Sequence, residues 1–155
     1  MLNLKYLALS QRLKCEQSLI MQEIERKFLV NKEAWIKQVK TICVHISQAY
    51  LHNSKDQTTR LRLRDDKAYL TVKGPSLGLT RSEYEYEIPF QDAEQMILDF
   101  KLKVLTKRRY LIDYASKTWE VDVFEGELKG LVIAEIELES EQEMFEKPTW
   151  IGKEV

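Results

Sequence analysis

Apolar and polar residues alternate with a period of two over most of residues 22–139. Side chains two apart on a strand share a face, so this pattern predicts β-strands with one apolar and one polar side. The stretch "TTRLRLRD" (58–65) sets Arg60, Arg62 and Arg64 against Leu61 and Leu63. In "AYLTVKG" (68–74), Leu70 and Val72 oppose Tyr69, Thr71 and Lys73. In "LTRSEYEYEIPF" (79–90), Arg81, Glu83, Glu85 and Glu87 oppose Tyr84, Tyr86 and Ile88, which puts both tyrosines on the core side. Further strands are expected at 22–30, 44–51, "LTKRRYLIDY", "TWEVDVFEG" and "LVIAEIELE".

The period changes in three places. "NKEAWIKQV" predicts a helix capped by Asn31 and anchored by Trp35 and Val39. "QDAEQMILDFKL" spaces Ala93, Met96, Ile97 and Phe100 helically, with Asp92 and Gln95 as a capping box. "SEQEMFE" predicts a short helix boxed by Ser140 and Glu143. These elements specify a strand-rich α+β domain with short helices.

Charge changes this picture. The chain has 155 residues, of which 32% are charged, yet its formal net charge is −1. A general basic footprint for nucleic acid is therefore absent. No span is long and apolar enough to cross a membrane. Two cysteines, Cys15 and Cys43, are too few for a disulfide framework and suit a reduced, cytoplasmic protein with Cys43 buried. Residues 1–20 have no signal-peptide architecture and precede Met21, so a dispensable extension is expected before a domain over 21–155.

The polar faces are not mixed. Lys27, Arg60, Arg62, Arg64, Lys73, Arg81, Lys107 and Arg109 stand against Glu23, Glu25, Glu83, Glu85, Glu87, Glu120, Asp122, Glu135 and Glu137, with arginine clustered on one strand (60–64) and carboxylates on others. A solvated sheet face also alternates, but it does not call for such blocks. Burying so many ions in a dry core is ruled out by a cost of several kcal/mol each. A closed barrel with a wet, charged lumen accommodates them. Carboxylate pairs suit Mg²⁺ or Mn²⁺, and converging bases suit phosphate.

"EIERK" (23–27), "TTRLRLRDDKAYLTVKG", "RSEYEYEIP", "KRRY", "WEVDVFEG" and "AEIELE" occur in an order that resembles the CYTH superfamily, the triphosphate tunnel metalloenzymes. The resemblance covers residues 22–155 and implies a closed eight-stranded antiparallel barrel forming a tunnel, with short helices outside. It implies that Glu23, Glu25, Glu135 and Glu137 bind the metal, and that Lys27, Arg60, Arg62, Lys73, Arg81, Lys107 and Arg109 hold the substrate. Glu25, Lys27 and Glu85 are the implied catalytic residues. Glu120 and Asp122 are left between metal binding and pairing with arginines. The resemblance also implies a C-terminal helix near one tunnel mouth, and this domain, ending at Val155, is expected to lack it.

The implied activity is metal-dependent hydrolysis of inorganic triphosphate. Adenylate cyclase or thiamine triphosphatase chemistry in the same tunnel, and a non-catalytic polyphosphate- or RNA-binding module, are the alternatives. Other motifs carry less. "GPSLG" (74–78) fits a nucleophile elbow only in letters, because Ser76 falls between two strands. Cys43 and His45 have no second pair at zinc spacing.

Overall fold

The computed structural model describes residues 22–40 and 42–155. The expected extension, 1–20, lies outside these. The strands are β1 (Gln22–Val30), β2 (Ile42–Asn53), β3 (Thr58–Arg64), β4 (Lys67–Lys73), β5 (Thr80–Ile88), β6 (Val104–Tyr114), β7 (Lys117–Phe124), β8 (Val132–Glu137) and β9 (Ile151–Glu154). Two helices, α1 (Lys32–Ile36) and α2 (Phe90–Asp99), interrupt them.

The sheet runs β5-β4-β3-β2-β6-β7-β8-β1, and a β5–β1 pairing closes it into an eight-stranded antiparallel barrel. The closing seam is short: Gln22, Glu23 and Ile24 face Ser82, Arg81 and Thr80. Beyond Ile24, β1 parts from β5, and β9 takes up the vacated edge through Phe28↔Glu154 and Val30↔Ile151. Arg26 clamps this join by a two-pronged bond to Glu154 at 2.6 and 2.5 Å. Gly152 permits the approach, since a Cβ there would sit 2.8 Å from the Leu29 carbonyl oxygen.

Because the strands alternate, their apolar sides face outward and need cover. Phe28, Trp119, Val121, Ala134 and Ile136 form one outer core with Trp35 of α1 and with Trp150. Trp119 is its centre, with ring centroids 5.7 Å from Phe28, 5.7 Å from Phe145 and 5.8 Å from Trp150. Tilted and edge-on contacts of this kind add to the burial of area. A second core places Leu61 and Ala68 under Ala93 of α2.

Several local expectations are corrected. Asn31 does cap α1, accepting from the Glu33 and Ala34 amides, but the helix stops at Ile36 and Val39 is 74% exposed. Helix α2 starts earlier than the Asp92/Gln95 box, directly after Pro89. Pro89 is the N-cap, with an extended ψ of 131°, and its carbonyl accepts from the Asp92 and Ala93 amides. Gln95 instead bonds Asp99. Residues 140–143 make one turn rather than a helix. A segment this short does not meet the cost of helix nucleation. Tyr84 and Tyr86 lie on the outer face as expected but are exposed, because α2 covers β3 and β4. Cys43 is exposed, not buried.

Candidate active site

The inward sides of the eight barrel strands enclose a cavity of about 510 Å³. Its lining includes seven bases and eight acids, among them all twelve residues singled out as site candidates: Glu23, Glu25, Lys27, Arg60, Arg62, Lys73, Arg81, Glu85, Lys107, Arg109, Glu135 and Glu137. Glu83, Glu120 and Asp122 complete the acids. Arg64 and Glu87, from the same polar faces, are exposed at the strand ends. Glu87 pairs there with Lys67 at 2.9 Å.

Strand register decides the pairings. Residues opposite each other across an antiparallel ladder point to the same side. Arg109 faces Asp122, Lys27 faces Glu135, and Glu120 also faces Glu135. Asp122, 1% exposed, accepts from Lys107 at 2.5 Å and from both Nε and Nη2 of Arg109 at 2.7 Å. Arg109 also reaches Glu135 at 2.9 Å and bonds Glu120. Lys27 bridges Glu135 at 2.5 Å and Glu25 at 2.7 Å. Asp122 is thus a partner of bases, and Glu120 stands between Arg109 and the acids.

On the other wall, Lys73 bonds Glu23 at 2.6 Å and Glu83 at 2.8 Å. Arg81 reaches Glu23 at 3.0 Å and Glu25 at 3.4 Å. The β3 arginines are held more loosely. Arg60 lies 3.9 Å from Glu83 and Arg62 lies 3.5 Å from Glu85. The Nε atoms of both are buried without a hydrogen-bond partner. Glu85 takes its closer bond from Thr71 Oγ1 at 2.8 Å.

The electrostatics follow these contacts. Burial opposes the charge on Glu135, but Lys27 and Arg109 outweigh it and hold the carboxyl down at about 2. Burial likewise opposes the charge on Lys27, and Glu135 and Glu25 overcome it and raise the ammonium. Lys107 goes the other way: burial lowers it, and Arg109 adds to that against the pull of Asp122. Glu120 is raised, first by burial and then by Glu135 and Asp122, despite Arg109. Glu137 is raised by burial and by four acids around it, Glu23, Glu120, Glu83 and Glu25.

Glu23, Glu25, Glu120, Glu135 and Glu137 also line a smaller cavity of about 250 Å³ with Thr118. An all-oxygen, mostly anionic donor set suits a hard divalent cation such as Mg²⁺ or Mn²⁺. Among the described residues no three acids are already grouped to hold an ion. Most of them are paired with lumen bases, and Glu137 is crowded by other carboxylates. In its chemistry the donor set fits a divalent ion.

Sequence reading missed the β2 contribution. Gln48 and Tyr50 line the lumen between the β3 and β6 bases, and Gln48 Nε2 donates to the Tyr50 hydroxyl at 3.0 Å. Thr71 was placed on the polar face but not singled out. Among the described residues no helix is long and apolar enough to cross a membrane.

Known proteins resemble this chain in sequence and fold. An inorganic triphosphatase of Acetivibrio thermocellus is 48% identical over 136 residues, covering 86% of this chain and 85% of that protein. One from Nitrosomonas europaea is 36% identical over 141 residues, covering 87% and 89%. A crystal structure of an inorganic triphosphatase superposes with a TM-score of 0.58 at 30% identity, covering 85% of each chain. The model of the CYTH domain matches residues 21–155. With its motifs set around one charged lumen, the chain belongs to the CYTH domain family.

Proposed function

We propose that this barrel is a divalent-metal-dependent triphosphatase that splits inorganic triphosphate into diphosphate and phosphate. The observation that carries this reading is the lumen itself, in which seven bases and eight acids neutralise one another. A polyanion accompanied by divalent cations enters such a lumen without upsetting its balance. The bases turn to phosphate oxygens and the acids to the cations. The 48% identity to an inorganic triphosphatase supports the same activity.

Glu23, Glu25, Glu135 and Glu137 are the residues to hold Mg²⁺ or Mn²⁺. Bound there, the ion supplies charge neutralisation at the phosphate oxygens. Arg60, Arg62, Lys73, Arg81, Lys107 and Arg109 grip the triphosphate through charge-assisted bonds. Lys27 lies between the two sets and follows the negative charge that develops as the phosphoryl group transfers. Glu25 would help to hold the ion, and Glu85 would offset the charge of Arg62 beside the substrate. No covalent nucleophile is required.

The lining favours an inorganic substrate. Recognition of a base or thiazole ring needs apolar walls, whereas Phe124, Ile133 and the ring of Tyr50 are scattered among charges. A chain with two cysteines suits the reducing cytoplasm. Phosphate release from triphosphate, ATP and thiamine triphosphate, with Mg²⁺, Mn²⁺ or chelator, tests the reading. Triphosphate should give the highest kcat/KM, yield diphosphate, and fail with chelator. Preferred turnover of ATP to cyclic AMP, or no turnover of any, would overturn it.

A further inference from the structure

The wall of the barrel is interrupted beside β1. Pairing with β5 ends at Ile24, and contact with β9 begins where the Val155 amide meets the Lys27 carbonyl at 3.0 Å. Between these points, over Glu25 and Arg26, no strand among the described residues covers that edge. A cavity of about 270 Å³ fills the interruption. Its outer rim is Ser76, Gly78 and Leu79 on one side and Glu154 and Val155 on the other. Glu25, Lys27 and Arg81 line both this cavity and the lumen.

The rim is a tied turn. Leu77 and Thr80 exchange backbone bonds at 2.8 and 3.2 Å, with Gly78 at a φ of 67°. Glu141 accepts from the Leu79 amide at 3.1 Å and from the Thr80 hydroxyl at 3.2 Å. The inner side is closed less firmly. Arg81 meets Glu25 at 3.4 Å, against 3.0 Å for its bond to Glu23. The side chains of Lys27 and Arg81 are 36% and 24% exposed, whereas those of the other five lumen bases are 5–14% exposed. The bases that solvent reaches most easily are thus the two at the interruption.

Splitting a linear triphosphate leaves two anions in one lumen, and both must leave. In the triphosphatase reading above, the transferred group lies at Lys27 and the diphosphate is gripped by the other bases. Where β1 and β7 begin and β8 ends, five carboxylates line the way out. That route repels a free phosphate. The interruption offers a basic path instead, with Lys27 and Arg81 inside and the neutral Ser76, Gly78 and Leu79 at the rim. Its acids are already neutralised, Glu25 by Lys27 and Glu154 by Arg26. A passage lined by positive charge favours an anion.

We propose that this slot between β5 and β9 is the exit for orthophosphate, opened as Arg81 swings away from Glu25. This rests on the triphosphatase reading. Diphosphate stays on the lumen bases and leaves by a mouth of the barrel.

The test plugs the rim with Leu79→Trp or Ser76→Trp, neither of which alters a lumen residue. With triphosphate and saturating Mg²⁺, quenched flow follows bond cleavage in the first turnover, and a fluorescent phosphate sensor follows free orthophosphate. Stopped-flow binding of a non-hydrolysable triphosphate analogue and thermal melting accompany them. Cleavage and analogue association should stay within about twofold of the parent, while release of free phosphate falls about tenfold behind cleavage. Leu79→Ala widens the rim and should add no lag. Free phosphate that keeps pace with cleavage in both tryptophan variants overturns the exit role and leaves the triphosphatase reading intact. Slower analogue association without a release lag assigns the slot to entry and also overturns it. Where one tryptophan variant melts well below the parent, the other decides; if both do, or if cleavage slows as much as release in both, the rim is structural and the exit role falls. A parent that does not cleave triphosphate overturns both readings.

Discussion

The two walls of the lumen hold similar charges in different ways. On the β6–β7–β8 side, Lys107, Arg109, Asp122 and Glu135 are locked by bonds of 2.5–2.9 Å. On the β3 side, Arg60 and Arg62 stand 3.9 and 3.5 Å from their carboxylates, with both Nε atoms unpartnered. The tightly paired wall has its electrostatic partners built in. The loosely paired wall has donors to spare. Removing a charge should therefore damage folding on the first wall and binding on the second.

The largest effect is expected at Asp122. Asp122→Ala leaves Lys107 and Arg109 buried around an absent counter-charge. Breaking a buried pair from one side costs about 3–5 kcal/mol, which corresponds to a melting-temperature drop of roughly 10–20 °C in a domain of this size. Calorimetric or circular-dichroism melts measure it. A drop of only a degree or two would mean that the two bases find water or other acids, and the β6–β7 wall would then be no more fixed than the β3 wall.

A smaller effect, of another kind, is expected at Arg62. Its one carboxylate contact is long, so Arg62→Ala should change stability by no more than about 0.5 kcal/mol. Loss of one charge-assisted contact to the proposed substrate costs about 1.5–3 kcal/mol, or roughly tenfold to a hundredfold in triphosphate affinity. Extra Mg²⁺ should not restore it, whereas Glu25→Gln should respond to extra metal. Titration calorimetry at two metal concentrations separates these outcomes. If metal rescues both variants alike, the walls do not divide the labour.

Much of the lumen was legible because its strands alternate without a fault. In β3 the period of two fixes Arg60 and Arg62 on one side, and Leu61 and Leu63 on the other, whatever the rest of the chain does. β2 hid its share. On the lumen side of β2, Ile46, Gln48 and Tyr50 carry no charge and read as an apolar face. Tyr84 and Tyr86 show the converse: alternation states which side a residue takes, not whether anything covers it. The division of Asp122 from Glu120 needed the register, which sets Asp122 opposite Arg109 and Glu120 opposite Glu135. Strand β9 has no alternation to read. It exists because β5 leaves the β1 edge free after Ile24 and because Gly152 lets the chain approach.

The smallest expected effect lies where neither description of a wall applies. Glu137 is raised above its ordinary range by burial and by the acids facing it. In the folded barrel its protonated form is favoured more than in the unfolded chain. Its ionisation therefore subtracts from stability once the pH has risen through its raised value, and the loss disappears once the pH falls below the unfolded value of about 4.3. Glu137→Gln removes that charge while keeping the shape. It should raise the melting temperature at pH 7.5 slightly, by about 1 °C, because Glu137 is an exposed side chain and solvent screens the repulsion. The gain should shrink towards zero near pH 4, where the parent takes up the proton itself. Mg²⁺ or Mn²⁺ should stabilise the parent more than the variant, since a bound cation relieves the same repulsion. A variant that melts lower than the parent at pH 7.5, or a gain that persists unchanged to pH 4, would show that Glu137 already has a partner in the lumen and is not one of the carboxylates waiting for a metal.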